Sequence, residues 1–265
     1  MNARRIARRA AKGAVIAFIA GTVGGAALLA AEAVAARSRR YARPDLGLAM
    51  RATLGKADAA PLRIVLLGDA SALGVGVETV GDTVGGRLAE LLADAGVRVA
   101  LSSVAVSGAR SGDLATQVAR AQLGERADVA VILVGTQDAI RVVRPSEAAT
   151  ALATAVRRLR DSGTAVVVGT CPDLAAVRAI APPLRQVVGW LGRRVARAQA
   201  AAARAAGASV VDLAAQVGPV FRADPGMLCR DAFHPSADGY RVMAYALFPA
   251  VAEACPVDLG QPGLG

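Results

Sequence analysis

Arg63-Ile64-Val65-Leu66-Leu67-Gly68-Asp69-Ala70-Ser71 is the stretch that decides the fold of this 265-residue chain. Four apolar residues in a row, with no polar alternation, read as a strand buried on both faces, which is how strands of parallel sheets look in sequence. Gly68 and Asp69 cut the strand off. Working outward, the same punctuation returns. Further strands are predicted at residues 97–104, 128–134, 164–169 and 208–213. Helical stretches lie between them at 83–95, 113–123, 146–161 and 184–206, and a closing helix is expected at 236–254 with Ser236 as its N-cap. Strands separated by helices predict a flavodoxin-like three-layer α/β/α sandwich around a parallel sheet of about five strands.

In such a sheet the carboxyl ends of all strands share one edge, where ligand sites form. The loops at 68–71, 107–110 and 135–138 meet there, joined by 229–235 before the last helix. His234 is the single histidine, so any imidazole acid–base step must use it. Asp231 precedes it by three residues and can accept from one ring nitrogen, leaving the other to take a proton. Asp-x-x-His alone is a weak signal, equally met in a surface histidine at a helix start. A flavin or nucleotide site fits poorly, because the first loop lacks a run of phosphate-cradling residues and Asp69 would repel a phosphate.

Taken in order, Gly68-Asp69-Ala70-Ser71, Ala105-Val106-Ser107-Gly108, Gly135-Thr136-Gln137-Asp138 and Asp231-Ala232-Phe233-His234-Pro235 resemble the four blocks of the SGNH (GDSL-type) hydrolases. The resemblance covers residues 62–254. Gly169-Thr170-Cys171-Pro172-Asp173-Leu174 and the residues following Phe233 resemble exported actinobacterial members. The resemblance implies an acyl-ester hydrolase or acyltransferase with no cofactor and no metal. It assigns the base to His234 and its orientation to Asp231, and it draws an oxyanion hole from Gly108, Gln137 and the backbone of Ala70. Two positions depart from the pattern: Ala70 stands where the family has its nucleophilic serine, and Gln137 where it has asparagine. Ser71 is adjacent, but one residue at a helix entry swings a side chain by about 100°. Ser71 therefore reads either as a nucleophile in a rebuilt turn or as a hydroxyl capping the first helix. Two functions follow: an ester hydrolase (or acyltransferase) at the cell envelope, or a degenerate homologue that binds an acylated or glycan ligand or a partner protein.

Charge and hydropathy locate the molecule. The net charge is +10, yet residues 1–43 hold nine basic side chains and one acid, leaving 22 basic and 20 acidic groups in the rest. That balance excludes nucleic acid as a partner of the globular part. Residues 13–31 carry no charge and as a helix would span roughly 28 Å, close to the hydrocarbon thickness of a bilayer. They read as a transmembrane anchor of a single-pass membrane protein with an extracytoplasmic domain. The alternative is a signal peptide cut after Ala33-Val34-Ala35, giving a secreted protein. The expected organisation is a segment 1–36, a linker 37–61, a hydrolase-like domain 62–255 and a tail 256–265. The substrate would be a small-molecule, lipid or glycan ester. Cys171, Cys229 and Cys255 cannot complete a zinc cage with one histidine. They read as buried hydrophobes, or, after export, as a Cys171–Cys255 disulfide with one thiol left over.

Overall fold

The computed structural model describes Gly25 and residues 50–257. The chain begins with a short edge strand, β1 (Arg51–Leu54), and the long β2 (Ala60–Gly68). A four-residue helix α1 (Ala70–Leu73) follows, then α2 (Val84–Asp94), β3 (Val97–Ser103) and α3 (Leu114–Ala121). The second half runs β4 (Val129–Leu133), α4 (Thr136–Ile140), α5 (Pro145–Asp161), β5 (Ala165–Gly169) and α6 (Leu184–Ala205). It closes with β6 (Ser209–Val211), α7 (Leu213–Gln216), α8 (Gly218–Ala223) and α9 (Ala237–Ala254).

The sheet has six strands in the order β1-β3-β2-β4-β5-β6. All neighbours are parallel except β1, which runs antiparallel to β3. The parallel strands follow the flavodoxin-like order, and β2 lies at the switch point between β3 and β4. The expectation of about five parallel strands therefore misses an antiparallel edge strand. β1 and the first two residues of β2 come from the stretch 37–61 expected to be linker. Four residues with half of their positions exposed give little hydrophobic pattern; what makes them a strand is pairing, Arg51 opposite Ser102 through Leu54 opposite Val99.

Alternation in the strands builds the layers. Leu62, Ile64 and Leu66 of β2 point to one face with Val129, Val131 and Leu133 of β4; there Leu88 and Leu92 of α2 and Tyr240, Met243 and Leu247 of α9 cover them. Val65 and Leu67 point to the other face with Ala130 and Ile132, under Val118 of α3, Leu152, Val156 and Leu159 of α5, and Ala203 of α6. Each fully buried leucine contributes about 2 kcal/mol of transfer free energy. Gly68 ends β2 at φ +131°, with the Leu133 carbonyl packed where a Cβ would stand, so β2 and β4 can stay paired up to the loop that enters the site.

Among the described residues no helix is long and apolar enough to cross a membrane. The expected membrane segment 13–31 lies outside the described residues, Gly25 excepted, as do residues 37–49 of the expected linker. Of the two readings of the cysteines, the Cys171–Cys255 disulfide is not formed: all three are free, Cys171 buried and Cys229 and Cys255 half-buried. Cys171 is buried with its thiol toward the Pro172 carbonyl, while the Cys255 thiol lies 3.2 Å from the Val251 carbonyl at the end of α9.

Candidate active site

The loops that were expected to converge do so around a cavity of about 810 Å³ at the carboxyl edge of the sheet, lined by Ala70, Ser71, Gly108, Gln137 and His234 among others. Asp231 sits behind His234, its side chain 7% exposed against 12% for the histidine.

The segment carrying Asp231 and His234 closes on itself. Cys229 N–H donates to the His234 carbonyl and Ala232 N–H to the Cys229 carbonyl, both at 2.9 Å. Asp231 Oδ1 accepts from the backbone N–H of Phe233 (2.8 Å) and of His234 (2.9 Å), and from the Cys229 thiol (3.0 Å). The other oxygen, Oδ2, is left for His234 Nδ1 at 2.5 Å. Burial alone would raise the Asp231 carboxyl, but the hydrogen bonds from His234, Cys229 and the backbone outweigh it and hold it well below the usual carboxylate range. A carboxylate kept ionised against Nδ1 fixes the ring, so that a proton would be taken at Nε2. Burial and the Asp231 contact push the Cys229 thiol up to about 11, so it stays a protonated donor.

Ala232, between the two, has φ +55°, unusual for a residue with a Cβ. Its carbonyl accepts from the N–H groups of both Arg178 (3.0 Å) and Ala179 (2.9 Å). These belong to a strap, residues 170–183, that joins β5 to α6 and lines the cavity with Leu174, Val177 and Ile180. Asp173 in the strap is ion-paired with Arg222 of α8. The strap thus braces the histidine loop and walls the cavity together; sequence reading left it without a role.

Ala70 is the first residue of α1 and lines the cavity, at the position where the resemblance places a hydroxyl. The N-cap of α1 is Asp69, whose Oδ1 accepts from Ser71 N–H at 3.0 Å. The alternative of Ser71 as the capping hydroxyl is therefore corrected: Ser71 is capped rather than capping. Asp69 is buried, and burial raises its carboxyl to about 6 against opposition from the Ser71 backbone, the charge of His234 and the Ser71 hydroxyl.

Gly108 sits at φ +82° in the loop after β3, a conformation glycine adopts without strain. Gln137 lies in the first turn of α4, with its carbonyl oxygen 3.4 Å from Arg141 Nε, so its N–H end is the one Arg141 does not engage. α4 is anchored by Asp138, 1% exposed, which accepts from Ser111 N–H (3.0 Å) and the Ser111 hydroxyl (2.9 Å) across 27 residues of chain. Burial raises the Asp138 carboxyl, and the Ser111 donors oppose it. Tyr240, fully buried, donates to the Val75 carbonyl at 2.7 Å and so pins the turn after α1 to α9. Asp69 directly before Ala-Ser-Ala-Leu was a signal for the N-cap that the sequence reading missed; the Asp138–Ser111 and Tyr240–Val75 bonds leave no local signal. Among the described residues no cluster of His, Cys, Asp and Glu has the grouping of a metal site.

This arrangement can hold a carbonyl compound beside an oriented imidazole, with backbone and amide donors nearby. Comparison with known proteins agrees. The chain is 41% identical over 206 residues to the "GDSL-like esterase Rv1075c" of Mycobacterium tuberculosis, across 76% of this chain and 65% of that protein. The chain thus spans about 65% of the length of the curated relative it matches. Its actinobacterial character agrees with that relative. TesA shares the fold at a TM-score of 0.61 and 20% identity, covering 72% of this chain and 99% of the other. A catalytic mutant of Axe2, an acetylxylan esterase from Geobacillus stearothermophilus, matches at a TM-score of 0.55 and 20% identity over 76% and 99% of the two chains. At such identities the likeness is one of fold alone. The model of the GDSL-like Lipase/Acylhydrolase family matches residues 66–242, from the last three residues of β2 into α9, and the chain belongs to that family of esterases and acylhydrolases.

Proposed function

We propose that this chain binds an acyl ester in a GDSL-type site that has lost rapid turnover, and that it does so at the cell envelope, anchored through residues 13–31. The observation that carries this reading is the cavity wall at Ala70: a methyl group at the entry of α1, opposite a complete Asp231–His234 pair. His234 would act as base and Asp231 would orient it. Gly108, Gln137 and the Ala70 N–H would polarise the ester carbonyl. The family's acyl-enzyme step starts from the serine hydroxyl that Ala70 replaces, and with alanine there slow attack by water or an acceptor hydroxyl is what remains.

Ala70→Ser tests this. Wild-type protein should hydrolyse p-nitrophenyl esters slowly and label poorly with fluorophosphonates. The variant should gain labelling and about 100-fold or more in rate, because the other parts of the unit are present. A second reading, a working hydrolase using Ser71, is favoured by that residue's place on the cavity wall. Strong wild-type labelling that maps to Ser71 and disappears in Ser71→Ala would establish it in place of the first. The anchor is checked by carbonate extraction, which full-length protein should resist; a soluble species beginning near Ala36 would mean cleavage.

A further inference from the structure

Helix α6 carries a second surface that neither the core nor the cavity uses. Val188, Gly192, Val195, Gln199 and Ala203 are buried and seat the helix on the domain. Val187, Trp190, Arg193, Arg194 and Arg197 are exposed. At 3.6 residues per turn these five fall within about a third of the helix circumference, so they form one face. Trp190, the single tryptophan of the chain, is 48% exposed, and Val187 is 39% exposed. The Arg194 guanidinium stacks 4.7 Å from the indole centroid. The whole helix has five arginines and no acidic residue.

The face adjoins the cavity. Leu184 and Val188 of the same helix line it, as does Ile140 of α4, which packs on α6. Two residues past Ile140, Val142 is 66% exposed and held at φ +55°, an unfavourable conformation for a β-branched side chain. An indole between arginine stems, with valines beside it, is the composition of a helix lying in the headgroup layer of an anionic bilayer. A second copy of the chain across a two-fold axis would bring the same arginines together. A nucleic acid would have no use for the exposed valines.

We propose that the Val187–Trp190–Arg197 face of α6 docks the domain on an anionic lipid bilayer. Docking would set the Leu184 and Val188 wall of the cavity beside the layer from which an acylated ligand enters. That entry role rests on the acyl-ester reading above, whereas the docking does not.

Trp190 reports on this face without labelling. Full-length protein would be reconstituted into vesicles of equal phosphatidylglycerol and phosphatidylcholine, with and without acyl chains brominated near the headgroup. Trp190 emission should shift to the blue and be quenched by the brominated lipid, and added salt should reverse both. The double change Arg193→Gln and Arg197→Gln leaves the Arg194–Trp190 stack in place. It should shift the balance roughly 30-fold towards the undocked domain, at roughly fivefold for each arginine removed from the surface. Pure phosphatidylcholine vesicles should give no quenching. Unquenched Trp190 in the anionic vesicles would overturn the proposal, as would equal quenching in phosphatidylcholine or in the double variant. So would an emission shift that follows protein concentration in lipid-free micelles, since a second copy would then cover the face. The double variant should still bind a soluble acyl ligand in micelles. Lost quenching in wild type with intact ligand binding counts against docking alone, and intact quenching without ligand binding counts against the acyl-ester reading alone.

Discussion

At Asp69, burial and capping pull in opposite directions. The carboxylate caps α1 and is 3% exposed, and burial lifts its pKa from 3.8 to about 6. As pH rises from 4 to 6 the unfolded chain releases a proton that the folded chain keeps, so stability falls; above 6 the whole cost is present. Two pH units correspond to about 3 kcal/mol. Asparagine offers the same acceptor oxygen to Ser71 N–H and has no charge to desolvate. Asp69→Asn should therefore stabilise the protein by about 2–3 kcal/mol at pH 8, and the gain should vanish near pH 4. Denaturant midpoints across that range measure it. A loss of stability at pH 8 would mean that the Asp69 charge is held by interactions with His234 stronger than its desolvation. Asp69 is also the residue at which sequence reading fell short. The sequence pointed to Ser71 as either nucleophile or cap, whereas the local hydrogen bond runs from Ser71 to Asp69.

Among the elements, those with their own chemistry were legible. Thr83 caps α2 by accepting from Gly86 N–H at 3.0 Å, and Ser236 caps α9 by accepting from Gly239 N–H at 3.2 Å, so both starts were marked in sequence. The helix expected at 146 starts one residue earlier because Pro145 takes its first position, where its missing N–H costs nothing. The elements not foreseen owe their form to distant partners. β1 depends on β3, and α4 is anchored through Asp138 to Ser111. The strap 170–183 takes its place from the Ala232 carbonyl and from Arg222. Asp231 and His234 were readable as a unit because the bonds that join them and turn their loop fall within residues 229–234, even though the strap braces that loop from outside. The free thiols were not readable, since spacing along the chain says nothing about whether Cys171 and Cys255 meet.

On the scale of the whole molecule, the cavity is the feature that commits the protein to a ligand class. Its volume of about 810 Å³ lies within the range of small-molecule sites. Asp69, Ser71, Gln137 and His234 supply polar lining, while Val177, Ile180, Leu184, Val188 and Phe221 supply apolar wall. A glycan would leave its hydroxyls against that wall without partners, which is costly. A linear acyl chain would instead gain about 0.8 kcal/mol for each methylene it buries, roughly fourfold in affinity. Affinity for a series of non-hydrolysable acyl amides, from butyryl to dodecanoyl, should climb by up to that factor per methylene and then level off as the cavity fills. Titration calorimetry below the micelle concentration measures the slope, and the same series with Ala70→Ser should give the same slope, because the added hydroxyl leaves the apolar wall unchanged. An affinity indifferent to chain length would remove the acyl group as the recognised feature and leave the acceptor side of the ester as what the cavity holds.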